Sequence, residues 1–260
     1  MFPIADDNPV QRSPIVTWAL IVACVLVFLW QLSLGRLGDQ MIFALGVIPA
    51  TLFGYAQLPA DIALIPPWAT IFTSMFLHGG WLHLIGNMLY LWIFGNNVED
   101  SMTRPRFLLF YLTCGIAAAL TQSFASPHSE IPMVGASGAI AGVLGSYLIM
   151  HPRANVRVAI VIFLFIRIIN MPAMFVLGAW FIFQVLSGVA VPTSEEGGGV
   201  AFWAHIGGFV AGIVLTPLFK RREVPLLEPP HSRSWQVRPM RRSQFPDVGY
   251  ERNRRRSPWE

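Results

Sequence analysis

The chain has 260 residues, of which 54% are hydrophobic and only 12% charged, with a mean hydropathy of +0.55 and a formal net charge of +4. A soluble domain carries about 25% charged residues, so this composition argues against a water-soluble globule and for one bundle of membrane helices. The charge is uneven: residues 220–260 hold eleven of the eighteen basic and five of the fourteen acidic residues, which leaves that tail at +6 and the rest at −2.

A spanning helix needs about 20 apolar residues. In chain order, the first such run is Pro14 to Leu34, bounded by Arg12 and Arg36. It is too long for a leader's apolar region, and Asp6 and Asp7 precede it, so a spanning helix is expected rather than a cleaved signal. A mixed segment, 36–80, is interrupted by Pro49, Pro59 and Pro66-Pro67. Further runs cover Leu82 to Val98, Phe107 to Phe124, Ser137 to Met150, Met171 to Val191 and Ala201 to Phe219, the last closed by Lys220-Arg221-Arg222. Two shorter apolar stretches, Ile62 to Leu77 and Val156 to Ile166, are expected to be re-entrant or interfacial. The Pro-, Arg- and Ser-rich tail is expected to be disordered. Cys24 and Cys114 both fall inside apolar runs, which does not fit a disulfide framework.

Basic residues set the orientation. With six spans, Arg12, Arg104, Arg106, Arg153, Arg157 and the tail fall on one side. The other receives Arg36 together with Asp39, Asp61, Glu130, Glu195 and Glu196. A seventh span at 62–77 would break this segregation. The expected architecture is therefore an all-α, six-span membrane domain over 14–219, with a cytoplasmic N-terminus at 1–13 and a basic cytoplasmic tail at 220–260. A basic tail beside a membrane helix fits contact with anionic lipids. No folded basic module accompanies it, so nucleic acid is not an expected partner.

Small residues mark one helix contact. Gly138 and Gly142 lie four apart on the fourth span, and Gly208 and Gly212 lie four apart on the sixth. Such spacing lets backbones approach closely in lipid, so these two spans are expected to touch.

Polar side chains inside spans are costly and point to function. His83 and Asn87 share a face of the second span, Ser137 opens the fourth, Gln184 lies on the fifth and His205 lies near the start of the sixth. Taken alone, a membrane serine is usually a backbone hydrogen-bonder, a histidine a packed side chain, and an asparagine glue between helices. In the six-span topology, however, His83, Asn87, Ser137 and His205 all fall in the outer halves of their spans. The fourth span is about 21 Å long at 1.5 Å per residue, against a hydrocarbon core of about 30 Å. Ser137 would then sit roughly 9 Å below the outer surface, in a water-accessible cavity roofed by residues 126–136.

A serine hydroxyl becomes a useful nucleophile when a base takes its proton, and neutral histidine suits that task. No carboxylate lies in the outer half of any span, so a Ser137–His205 dyad with slow turnover is expected. The Ser137 N–H, as an orphan donor at a helix start, with His83 and Asn87, would supply the oxyanion donors. Gly135 and Gly138 flank the serine and permit close backbone approach.

At these residues the sequence resembles the rhomboid family of intramembrane serine proteases. Gly135-Ala136-Ser137-Gly138 matches that family's Gly-x-Ser-Gly motif. His83 to Asn87, with His78 upstream, matches its His-x-x-x-Asn pattern, and His205-Ile206-Gly207-Gly208 followed by Gly212 matches its last-helix motif. The resemblance covers about residues 14–219. It implies a six-helix bundle, Ser137 as nucleophile, His205 as base, and an oxyanion hole of His83, Asn87 and the Ser137 amide. His78 would be a structural hydrogen-bonder, and Glu99 would stabilise the cytoplasmic end of the second span. It implies single-span membrane proteins as substrates, cut near the outer end of their helix. It also implies no cofactor or metal, and residence in a membrane such as the bacterial plasma membrane. Both termini would be cytoplasmic, with the site opening outward. Two features depart from the pattern of some members. Ala141 stands where they carry an aromatic four residues after the serine, so another side chain must orient His205. Trp68 and Trp81 each lack a following arginine.

Three other readings compete. A catalytically weak or inactive relative would bind membrane clients without cutting them. A transporter would need buried charges along a path through both leaflets. A zinc protease would need His-Glu-x-x-His, which is absent, and His78 and His83 are five apart, splayed on a helix.

Overall fold

A computed structural model describes residues 2–162, 165–190 and 200–229. Each of the six apolar runs forms a helix: α1 (Ile15–Ser33), α5 (Trp81–Ser101), α6 (Arg104–Ala125), α7 (Ser137–Met150), α8 (Ala173–Ala190) and α9 (Phe202–Phe219). Four of them, α1, α6, α8 and α9, are long and apolar enough to cross a membrane. The other two differ for physical reasons. α7 has only 14 residues, and α5 carries Asn87, Asn96, Asn97, Glu99 and Asp100 along its length. The long segment after α1 folds into short pieces rather than a span. These are α2 (Arg36–Leu45), α3 (Pro49–Leu52), a 3-10 turn at Pro67–Ala69 and α4 (Thr70–Thr73).

The fold is not all-α. Residues at 155–172, expected in part to be interfacial, form a hairpin of β2 (Asn155–Ile162) and β3 (Phe165–Pro172). The N-terminal residues add β1 (Phe2–Asp6), giving an antiparallel three-stranded sheet of order β1-β2-β3. Val156 and Val158 alternate onto the face that packs into the helical core, and both are fully buried. The beginning of the tail is also ordered. Leu227 and Glu228 donate backbone N–H groups to Ile149 and Met150 at the end of α7. The Glu228 carboxylate lies 2.7 Å from His151 Nδ1. Expected disorder over residues 230–260 falls outside the described residues.

Glu99 shows how the sheet end of the bundle is fastened. Its carboxylate accepts hydrogen bonds from the Val16 and Thr17 N–H groups (3.0 and 2.7 Å) and from the Thr17 hydroxyl (2.8 Å). Those N–H groups are orphan donors in the first turn of α1, and an anion there also meets the positive end of the helix dipole. Close by, Asp6 of β1 accepts hydrogen bonds from Asn97 Nδ2 (2.9 Å) and the Tyr147 hydroxyl (2.6 Å), tying the sheet to α5 and α7. Burial raises the Asp6 carboxyl from its ordinary 3.8 to about 6, outweighing the Tyr147 hydrogen bond, which acts the other way. An acid raised in the folded state contributes stability that is complete below its ordinary value and lost as pH climbs through about 6. The thermal midpoint of the wild type in detergent, relative to Asp6→Asn, should therefore rise on acidification from about pH 7.5 to about pH 5. Parallel midpoints across that range would remove Asp6 from the pH response.

The seam between α7 and α9 sets the position of the site. A Cβ on Gly208 would collide with the carbonyl oxygen of Gly138, and one on Gly212 with that of Gly142. The backbones are thus in direct contact along the two small-residue faces, as their spacing implies. Lower in the seam, the buried Thr216 hydroxyl donates to the Gly212 carbonyl at 2.6 Å and shares a hydrogen bond with the Ser146 hydroxyl at 2.7 Å. The first turns of α5, α7 and α9 come together at the end of the bundle opposite the sheet.

Candidate active site

Ser137 is the first residue of α7 and His205 the fourth of α9, and the glycine seam brings these two first turns side by side. Ser137 Oγ lies 2.8 Å from His205 Nε2. The other imidazole nitrogen, Nδ1, lies 2.8 Å from Gln184 Oε1 on α8. The His205 ring is therefore held at both ends, by a hydroxyl on one helix and an amide on another. Trp180, one turn before Gln184, lies over the imidazole with ring centroids 5.7 Å apart. It supplies the aromatic neighbour that Ala141 cannot. Gln122 of α6 accepts a hydrogen bond from the Ala204 N–H at 3.2 Å, satisfying an orphan donor in the first turn of α9 beside the histidine.

The segment entering α7 is tied down. Val47 and Met133 exchange two backbone hydrogen bonds, of 3.0 and 2.7 Å, and the Gly135 N–H donates to Ser74 O at 2.8 Å. Gly135 has φ +124°, a region open to glycine, and a Cβ there would stand 2.7 Å from His83 Nε2 and 3.6 Å from Asn87 Nδ2. Glycine is required twice over, by its backbone angle and by the two side chains pressed against it. Gly138 faces Ala118 and the α9 backbone on the other side of the serine.

His83 and Asn87 stand one turn apart on α5, aimed at the same place. His83 Nδ1 accepts from the Gly79 N–H at 3.5 Å, which leaves the hydrogen on Nε2, the atom beside Gly135. Asn87 Nδ2 is buried and has no hydrogen-bond partner. A buried donor left unpaired is costly, and this one is directed at the space beside the serine, where an acceptor on a bound molecule would satisfy it. His78 sits behind His83, their rings 5.2 Å apart. Its backbone N–H donates to Gln31 Oε1 at 3.1 Å, while Gln31 Nε2 donates to His78 O at 3.4 Å, so α1 and the start of α5 are joined through this residue. Sequence reasoning brought His83, Asn87, Ser137 and His205 to one place. It gave no role to Gln31, Trp180 or Gln122, and noted Gln184 only as a polar residue in a span. An i, i+4 pair of Trp180 and Gln184 in an otherwise apolar run was the available signal.

Ser137, His205, His83, Asn87, Gly135, Gln122 and Trp180 border one cavity of about 1510 Å³, lined also by Trp81, Met133 and Phe202. Among the described residues no group of three His, Cys, Asp or Glu side chains is placed to hold a metal ion.

The family model for the Rhomboid domain matches residues 66–222. Among curated relatives, the chain is 30% identical over 201 residues to "Rhomboid protease GluP" of Bacillus subtilis, an alignment covering 77% of this chain and 34% of that protein. It is 28% identical over 191 residues to "Rhomboid protein 1, mitochondrial" of Saccharomyces cerevisiae, covering 67% and 52%. It is 27% identical over 228 residues to "Rhomboid-like protein 11, chloroplastic" of Arabidopsis thaliana, covering 84% and 70%. The chain thus spans between a third and about half of the length of the first two. With a domain match over more than half its length and four helices apolar enough to cross a bilayer, this chain is an integral membrane protein and belongs to the rhomboid family.

Proposed function

We propose that the protein is an intramembrane serine endopeptidase that cuts single-span membrane proteins near the outer end of their helix. The observation that carries this reading is the 2.8 Å contact between Ser137 Oγ and His205 Nε2 inside a cavity at the end of a membrane bundle. Serine gives its proton to Nε2 as Oγ attacks the scissile carbonyl carbon. The carbonyl oxygen becomes an oxyanion beside the Ser137 N–H, the Asn87 amide and His83 Nε2–H, which are fixed before the charge develops. The imidazolium then protonates the leaving amine. Water entering through the cavity hydrolyses the acyl-enzyme by the same steps in reverse roles.

Helices α1 and α5 to α9 all span the membrane in this reading, with both termini in the cytoplasm and the cavity opening to the outer side. The membrane is the plasma membrane of a bacterium. Residues 14–219 are the catalytic domain, and the basic tail from 220 meets anionic lipid. The sheet and Glu99 then lie at the cytoplasmic end, beside Arg104, Arg106, Arg153 and Arg157, as the distribution of basic residues requires. Location of the cut tests the reading. Single-span reporters incubated with purified protein and mapped by mass spectrometry should yield one cleavage in the outer third of the span or just outside it. Cleavage at the cytoplasmic end would contradict the orientation. A relative that only binds membrane clients would retain the reporter uncut.

A further inference from the structure

Ser137, His205 and the oxyanion donors leave one question about the base. Neutral imidazole carries a single hydrogen, and only the tautomer with hydrogen on Nδ1 leaves Nε2 free to accept from Ser137. In soluble triads a carboxylate makes that choice. The Gln184 side chain occupies the corresponding place, with Oε1 2.8 Å from His205 Nδ1 and the residue buried, 5% exposed.

We propose that Gln184 is a positioning residue that fixes His205 as the Nδ1–H tautomer and so makes it a base toward Ser137. The assignment of catalytic work to that tautomer rests on the protease reading; the tautomer itself does not. Amide Oε1 is an acceptor with no hydrogen to give, so its contact with Nδ1 places the imidazole hydrogen there. The lone pair on Nε2 then faces Ser137 Oγ, which donates to it. When serine's proton moves to Nε2, the ring becomes an imidazolium, and its Nδ1–H bond to the amide oxygen strengthens as a charge-assisted contact. Gln184 stays neutral throughout and takes no proton.

The choice of an amide follows from its surroundings. A carboxylate on a membrane helix carries a large desolvation cost in the resting enzyme, whereas an amide orients the ring without a resting charge. Trp180, one turn earlier on the same face of α8, restrains the plane of the ring. α8 therefore contributes the orienting pair while α7 and α9 contribute the reacting pair. Other ionisable groups bordering this cavity are His83 and Tyr90 on α5, and His128 and Glu130 in the loop before α7. Those of its lining residues that come from α6, α7 and α8 include no ionisable group, so no carboxylate on those helices duplicates the role there.

Two variants separate positioning from packing. Gln184→Met keeps size and shape but lacks an acceptor. Gln184→Glu keeps the acceptor and adds charge. In protein labelled with isotopic histidine, with the signal assigned by His205→Gln, the wild type should show His205 with hydrogen on Nδ1. Gln184→Met should shift it towards the Nε2–H form or a mixture. With a cleavable reporter, Gln184→Met should lower kcat by about 10- to 100-fold with KM little changed. Gln184→Glu should retain most of kcat and move the acidic limb of the kcat profile to higher pH, because a carboxylate favours the imidazolium. A packing role predicts the reverse, with Met tolerated and Glu damaging. An Nε2–H tautomer in the wild type, an unchanged tautomer in Gln184→Met, or wild-type kcat in that variant would overturn the proposal. An Nδ1–H histidine that Met substitution shifts, in a protein that cuts no reporter, would leave the assignment standing and fail the protease reading instead.

Discussion

Ser137→Ala and His205→Ala should each reduce reporter cleavage on the order of 10⁴-fold or more, below detection for a slow enzyme, and the double variant should be no worse than either. The reason lies in the step they share. In the proposed mechanism, attack by Oγ and proton transfer to Nε2 occur together across the 2.8 Å contact, so removing either partner would remove the whole step, and losses that belong to one step do not add. Both side chains are half-buried at helix starts, and neither truncation opens the glycine seam, so thermal midpoints in detergent should stay close to the wild type. Kinetics of the three variants on one reporter, with folding checked by scanning fluorimetry, measures this. Additive losses would mean that serine and histidine act in separate steps.

Asn87→Ala should lower kcat by about 10²- to 10³-fold, equivalent to about 3–4 kcal/mol, with little change in KM. Its Nδ2 is buried without a partner in the resting protein, so the amide carries a desolvation cost that the oxyanion of the proposed mechanism would relieve most fully. That is the pattern of a group whose interaction is stronger in the transition state than in the ground state. The stability of the resting protein should accordingly hold or improve on truncation, because an unsatisfied buried donor is removed. Single-turnover kinetics and thermal midpoints of Asn87→Ala and Asn87→Asp check both halves. An Asn87→Ala variant with wild-type kcat, or one that is strongly destabilised, would make this residue helix-to-helix glue instead.

The two expectations diverge in their effect on folding because the resting contacts differ. Ser137 and His205 satisfy one another at rest, whereas Asn87 waits unpaired.

How far these residues could be read from sequence depended on whether the signal was local. His83 and Asn87 are one turn apart, and the Gly-x-x-x-Gly pairs lie on single helices, so periodicity sufficed. Ser137 and His205 were brought together by an argument about depth, which worked because few polar residues interrupt the spans. The sheet escaped. β2 and the start of β3 fell within one apolar stretch, Val156 to Ile166, too short to span and so expected to be re-entrant or interfacial; as few as four alternating residues, Asn155 to Val158, signalled a strand. Its third strand lies at residues 2–6, with Asp7 bonding Asn155 across a separation of 148 residues. Such pairing leaves no mark in one sequence. The same is true of Gln184, visible as a polar residue on an apolar helix, whose partner was fixed only once α8 was packed against α9. Tail residues 221–229, rich in proline and charge, read as unstructured because most of the backbone hydrogen bonds that hold them go to residues distant in sequence, from the Arg221 N–H to Ser101 and from the Leu227 and Glu228 N–H groups to Ile149 and Met150.

The most direct test of the central claim is cleavage of a single-span reporter in proteoliposomes by wild-type protein, Ser137→Ala and His205→Ala, each shown to be folded. Cleavage by the wild type and by neither variant is the expected result. Cleavage that survives either substitution would contradict the assignment of Ser137 and His205 as nucleophile and base.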